Sequence, residues 1–335
     1  MDETDYHPLP WQMEQWHHLQ QANTQGRLPH ALLLSGPPGL GKEQFALSFA
    51  QSCLCPDKDN QGYPCGICRH CQLMSSFIHP DFQWLKPDEG SKSGEIKVEA
   101  IRRLTAGASL TSYSGGNKII IIQPAHRMNN AAANSLLKTL EEPAPGTVIL
   151  LLTDQPTRLL PTIRSRCQKV VFHSPDRQQS IAWLAEKVPH AEPGILLSLA
   201  NGAPLKALKL DSAELLQARE AMLSGFLGIG GEEHRDPVSL ARQWTAFDRG
   251  LLLEWLTGWV IDLIRLKEGG NAVPLFNQDH SQALQNTADK LNSSVLQGYL
   301  LQVYQARGLL DSNLNPQLML EKLLIDWHTC FVQAA

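Results

Sequence analysis

A chain of 335 residues with 43% hydrophobic and 19% charged residues has room for two or three domains with their own cores. Its net charge of −4 excludes a surface that attracts nucleic acid all round, and leaves only a local basic patch or a charged partner for such contacts. No apolar run reaches the roughly 20 residues that span a bilayer, and residues 1–5 lack the basic start and apolar core of a secretory leader, so a cytoplasmic protein with no membrane contact is expected.

Residues 11–23 combine a polar background with apolar and aromatic positions that suit a helix on the edge of the first domain. Residues 30–34 (His30-Ala31-Leu32-Leu33-Leu34) then predict a short strand covered on both faces, as in a parallel sheet. Directly after it, Gly36-Pro37-Pro38-Gly39-Leu40-Gly41-Lys42 has the Gly-x-x-x-x-Gly-Lys frame of a phosphate-binding loop. Gly36, Gly39 and Gly41 let the backbone wrap a triphosphate with its N–H groups inward. The start of the next helix adds partial positive charge, and Lys42 would meet the β/γ-phosphates. A plain Gly/Pro turn between strand and helix is the competing reading, and the strand-loop-helix context favours the phosphate loop. The following position needs a Ser or Thr hydroxyl for Mg²⁺, but it holds Glu43, which puts a full negative charge beside a polyanion. Nucleotide binding is therefore expected to be weak or absent.

Phe45, Phe49 and Cys53 recur at i, i+4 and i+8, the buried stripe of the helix after the loop. Five of the seven cysteines lie between positions 53 and 71, which in a reducing compartment reads as metal ligation rather than disulfides. Cys55-x9-Cys65-x2-Cys68-x2-Cys71, with Pro64 and Gly66 for tight turns, suits a closed tetrahedral Zn²⁺ site. Such a site leaves no position for substrate, so it is structural, and it supplies on the order of 10 kcal/mol to a loop with little core. Either Cys53 or Cys55 completes the set, and the helix stripe favours Cys55.

Residues 82–85 predict a second strand and residues 86–95 a polar loop. Val98, Ile101, Arg102 and Leu104 fit a helix that ends at the turn 114–117. The β-branched run 118–122 predicts a central strand. In a working phosphate-loop ATPase the end of this strand carries an Asp for the Mg²⁺ shell and often a Glu for the attacking water. Here Gln123 and Pro124 stand there, and neither does that work. Residues 129–142 predict a helix with an Asn cap, stopped by Pro143 and Pro145, and residues 147–152 a buried strand. Thr153 at its tip is placed either to touch a γ-phosphate or simply to cap the strand. Residues 159–167 then run into a last strand at 168–172.

The phosphate loop, the four-cysteine insertion, the Asn-Ser-Leu-Leu-Lys-Thr-Leu-Glu-Glu-Pro segment at 134–143 and Ser165-Arg166-Cys167 together resemble the bacterial replicative clamp-loader family over about the first 210 residues. Departures at Glu43, Gln123 and Pro124 make the chain similar to a non-hydrolysing subunit of that family rather than to its gamma/tau ATPases. The resemblance implies an α/β AAA+ P-loop parallel-sheet domain over 1–173 with a zinc insertion at about 55–71. It implies a small helical lid over 174–211 and an all-α collar domain for oligomerisation over 212–335. It further implies a pentamer with delta and gamma/tau subunits, in which this chain is a rigid end member with no catalysis of its own. Through that complex it would meet the sliding clamp and primer-template DNA, supporting ATP-dependent clamp loading in chromosomal replication.

The resemblance also assigns Arg166 as an arginine finger, a guanidinium offered in trans to the γ-phosphate of a neighbour's ATP. Read without it, Arg164 and Arg166 pair with carboxylates at a strand end. A lid segment that in the family carries a nucleotide-sensing Arg is Gly202-Ala203-Pro204-Leu205 here, so that charge is lost too. Residues 181–188 and 195–200 predict short lid helices. Beyond residue 212, helices are predicted at 213–226, 238–247, 250–266, 281–291, 294–309 and 317–332, with loops at 225–235 and 269–276. Leu251, Leu252, Trp255, Trp259 and Leu263 form a stripe that faces either the core or another subunit. Two other functions compete: an ATPase with a metal shell built on Glu43, and a zinc-dependent nucleic-acid-binding module. The second needs a basic face, yet the cysteine loop sets Lys58, Arg69 and His70 against Asp57 and Asp59.

Overall fold

The computed structural model describes residues 7–88, 94–108, 112–113, 115–230, 235–269, 273–310 and 314–334, and it divides into two compact units, Met1–Pro175 and Asp176–Ala335. Sequence readings on residues 1–5, on Ser114, and on parts of the loops 86–95, 225–235 and 269–276 lie outside the described residues.

In the first unit a 3-10 turn, Pro10–Gln12, leads into α1 (Met13–Thr24), β1 (Ala31–Ser35), α2 (Lys42–Leu54), α3 (Arg69–Ser75), β2 (Phe82–Leu85) and α4 (Val98–Ala108). There follow β3 (Lys118–Ile122), α5 (Asn130–Glu141), β4 (Thr147–Thr153), α6 (Pro161–Arg164) and β5 (Gln168–Val171). The strands form one parallel sheet in the order β2-β3-β4-β1-β5. Its three central strands, β3, β4 and β1, are buried along their whole length, which is why they read as unbroken apolar runs rather than alternating ones. On one face Ile101, Leu104, Leu136 and Leu140 of α4 and α5 pack against Leu33, Ile120 and Ile149. Elsewhere Trp16 of α1 meets Phe45 and Phe49 of α2 edge-on at 6.0 and 6.3 Å, and Phe45 meets Phe172 at 5.1 Å.

β2 and β3 have the expected bounds, β1 is shifted by one residue, β5 ends one residue earlier, and β4 takes in Thr153. The sequence reading has no helix at α3 or α6. α3 starts inside the cysteine cluster, where the sulfur of Cys68 accepts the N–H of Cys71 in the position usually held by a Ser, Thr or Asp oxygen.

The second unit opens with α7 (Arg177–Ala185), α8 (Pro193–Leu199) and α9 (Pro204–Leu210), which close over Leu184, Leu196, Leu197 and Ala207. α9 was also unexpected; it begins at Pro204, whose fixed φ and missing N–H suit a first helical position. The unit continues with α10 (Ala213–Ile229), α11 (Pro237–Trp244), α12 (Arg249–Gly269), α13 (Ser281–Ala288), α14 (Ser293–Gly308) and α15 (Pro316–Ala334). The expected loop from residue 225 is corrected: α10 runs on to Ile229. A Cβ at position 225 would lie 3.2 Å from Leu240 and 3.7 Å from Trp244, so the glycine serves close packing of α10 on α11 rather than a turn. Leu252, Trp255, Trp259 and Leu263 of α12 are buried in this unit's own core, and only Leu251 is half-exposed. Phe226 stacks on Trp327 at 4.2 Å, and the indole N–H of Trp327 donates to the Phe226 carbonyl. Among the described residues no helix is long and apolar enough to cross a membrane.

A buried polar network ties α10 and α12 to the segment before α13. Arg219 donates to both carboxylate oxygens of Asp279 at 2.7 and 3.1 Å and to Asn277 Oδ1 at 2.7 Å. Asp262, fully buried, accepts from the N–H groups of Phe276 and Asn277 and from Asn277 Nδ2. Burial raises its carboxyl above the usual range, and those hydrogen bonds together with Arg265 oppose the rise.

Candidate functional site: an altered phosphate loop, Arg166 and four cysteines

The loop between β1 and α2 has the backbone of a phosphate loop. Gly41, the residue before α2, has φ +82, and a Cβ at Gly36 would lie 2.2 Å from the Phe172 carbonyl oxygen, so neither position accepts another residue without strain. Gly39 also has positive φ. Lys42 opens α2 with its side chain only 7% exposed. Its ammonium donates to the Gly36 and Pro37 carbonyls at 2.7 and 2.6 Å and forms an ion pair with Asp154. Asp154 carried no sequence signal beyond its place after β4, and its role comes from register: Ser35 pairs with Thr153, which sets the two strand ends side by side.

The positions that hold Mg²⁺ in working phosphate-loop ATPases are bound to each other here. Gln123 Nε2 donates to Glu43 Oε2 at 2.6 Å, and Lys86 Nζ lies 3.4 Å from Glu43 Oε1 while resting 3.6 Å above the Trp84 ring. The peptide bond from Gln123 to Pro124 is cis. Thr153 is buried, with its hydroxyl 2.9 Å from His126 Nδ1 and accepting the Gln155 N–H at 3.0 Å. Of its two readings, capping the strand end fits these contacts.

Arg166 lies two residues beyond α6 and is about one-third exposed. Its guanidinium donates to the Thr162 carbonyl at 3.0 Å and pairs with Glu141 at 2.5 Å, Glu141 being the last residue of α5. The carboxylate partner expected in the absence of a finger role is thus present, but at the surface, where such a pair holds by only about 0–1 kcal/mol. Arg164 makes no ion pair among the described residues, and its Nε is buried without a partner. Cys167, next in the chain, is an apolar core residue whose thiol burial pushes up to about 11.

Cys55, Cys65, Cys68 and Cys71 converge with their sulfur atoms all within 4.8 Å of one another, whereas Cys53 stays on α2, where Asn23 Nδ2 donates to its sulfur at 3.7 Å. Burial pushes the Cys53 thiol up to about 12, and its sulfur stands outside the cluster. The sulfur separations of 3.7, 3.9 and 3.9 Å match the edge of about 3.8 Å in a tetrahedron with metal–sulfur bonds of about 2.3 Å. N–H groups of Cys65, Cys68 and Cys71 point at the sulfurs of Cys55, Cys65 and Cys68 at 3.3–3.4 Å, which favours thiolates. Those from Cys68 and Ile67 lower the Cys65 thiol to about 7, while burial raises Cys55 and Cys71. The donor set fits a thiophilic metal ion with no open position.

Family models and relatives agree on what this arrangement belongs to. A model described as DNA polymerase III, delta subunit, matches residues 11–176, and one for that subunit's C-terminal region matches residues 213–329. The DNA polymerase III subunit delta' of Pseudomonas aeruginosa is 35% identical over 325 residues, covering 95% of this chain and 96% of the relative. That of Escherichia coli K12 is 32% identical, with 94% of each chain covered. Among solved structures, a gamma subunit-related protein of Thermotoga maritima aligns at 18% identity with a TM-score of 0.45, over 93% of this chain and 99% of that one. With 35% and 32% identity to the two delta' subunits over nearly its whole length, the chain belongs to the DNA polymerase III delta' subunit family.

Proposed function

We propose that this chain is a clamp-loader subunit that assists ATP chemistry on a neighbouring subunit and performs none itself. The observation that carries the reading is the 2.6 Å hydrogen bond between Glu43 and Gln123: the two side chains at the metal-shell positions are turned to each other. Lys86 offsets the remaining charge of Glu43, so among the described residues neither side chain at these positions is arranged to hold Mg²⁺ or to activate water. Arg166 is the group left to act. Held by one exposed carboxylate and one carbonyl, it can exchange Glu141 for a γ-phosphate presented by a neighbour, where charge-assisted, bidentate contact is stronger.

In this reading residues 1–173 form the AAA+ module, 174–211 its lid and 212–335 the collar that joins delta and gamma/tau subunits in the cytoplasm. The sliding clamp and primed DNA are met through the assembled complex. Cys55, Cys65, Cys68 and Cys71 would hold one Zn²⁺, whose contribution is to fix the loop between α2 and α3.

The test is reconstitution with the other loader subunits and measurement of DNA-stimulated ATP turnover. Arg166→Ala should leave this chain folded and lower turnover at the site it serves by about 10³ to 10⁵. Unchanged turnover removes the finger role. Magnesium-dependent ATP binding with turnover by the isolated chain would favour an ATPase with an atypical metal shell instead.

A further inference from the structure

The ion pair inside the phosphate loop supports a proposal that rests on the reading above of a chain that does not turn over ATP. We propose that Asp154 is an internal substitute for phosphate: its carboxylate fills an anion seat that the loop still builds, and removing it opens a site for a polyphosphate chain.

An ammonium has three N–H donors. Those of Lys42 go to the Gly36 carbonyl, the Pro37 carbonyl and Asp154, and the side chain is 7% exposed. A phosphate therefore reaches Lys42 only by displacing one of the three. The two carbonyls are neutral and belong to the loop itself, whereas Asp154 brings a full negative charge that repels the incoming anion as well as occupying its partner. The carboxylate is held in place. Thr153 before it pairs in register with Ser35, and its hydroxyl accepts the N–H of Gln155 and contacts His126, so both neighbours of Asp154 are fixed. Glu43, the other acid nearby in sequence, is turned to Gln123 and Lys86. Asp154 is thus the acid that sets the sign of the seat. Because the magnesium positions are bound to each other, the ligand class is a metal-free polyphosphate, shared by inorganic pyrophosphate and the tail of a nucleoside triphosphate.

The experiment is equilibrium titration of the full-length chain with pyrophosphate and, separately, with ATP, without added magnesium. Asp154→Ala should bind more tightly than the parent by on the order of 10- to 100-fold, equivalent to about 1.4–2.8 kcal/mol. Asp154→Asn should gain less, since its amide oxygen still accepts from Lys42. Adding Lys42→Met to Asp154→Ala should abolish the gain. Preference for ATP assigns a contribution to the nucleoside, and equal binding assigns the seat to phosphate alone; both support the proposal. Two folded Asp154 variants that bind no tighter than the parent overturn it, as does a gain that survives Lys42→Met. A parent that binds as tightly as its variants also overturns it while leaving the non-hydrolysing reading intact. Turnover by the parent would instead sink that reading.

Discussion

Arg219→Met should destabilise the second unit far more than a surface change would. The Arg219 side chain is 4% exposed and donates three hydrogen bonds, two to Asp279 and one to Asn277. Methionine fills similar volume but leaves Asn277 Oδ1 buried without its donor and Asp279 without its cation. Removing one partner of a buried ion pair costs about 3–5 kcal/mol. Asp279 is 23% exposed and lies 3.4 Å from His280 Nε2, which places the expected loss near the lower end, about 3 kcal/mol. For a unit the length of Asp176–Ala335 each kcal/mol shifts Tm by about 2–4 °C, so a fall of about 6–12 °C is expected by calorimetry. Arg219→Met combined with Asp279→Leu should cost less than the sum of the two single changes, because the stranded charge is gone. A single-variant loss below about 1 kcal/mol, or strict additivity in the pair, would refute the argument.

Two further outcomes follow from buried and clustered groups. If the four cysteines hold a metal ion as proposed, Cys68→Ser should lower the metal content of the purified chain, measured by elemental analysis, and expose residues 56–67 to limited proteolysis; unaltered metal content excludes Cys68 as a ligand. Asp262 gives a pH signature. Its folded carboxyl is raised by burial, so the folded state holds the proton more tightly than the unfolded one, and the stability linked to it grows as pH falls from the raised value toward about 3.9. The unfolding free energy of the parent minus that of Asp262→Asn should therefore increase on acidification through that window. A difference independent of pH would show that the fold does not raise the Asp262 carboxyl above its unfolded value.

Features written in consecutive residues were legible in the sequence. The glycines and Lys42 of the loop, the Cys-x2-Cys steps and the apolar runs of β1, β3 and β4 each carry their own spacing: the runs form strands, the loop joins β1 to α2, and the four sulfurs converge. Residues that act by meeting a distant partner were not legible. Glu43 and Gln123 are 80 positions apart, and only the sheet order β3-β4-β1 brings the end of one strand near the loop after another. Asp154 and Glu141 are ordinary surface acids until the register and the end of α5 set them against Lys42 and Arg166. The α12 stripe shows the same limit from the other side: helical spacing said that Trp255 and Trp259 share a face, and only packing said that the face is interior.

The sulfur of Cys68 has two duties, since it is one corner of the four-cysteine cluster and also the atom that initiates α3. A seven-residue helix is too short to persist by its own propensity. Displacing this sulfur would thus disturb a helical start as well as the cysteine cluster, a few residues before Phe77, whose ring leans on Trp84 of the edge strand β2. One atom thereby links the convergence of the four cysteines to the start of the helix that leads toward that sheet border.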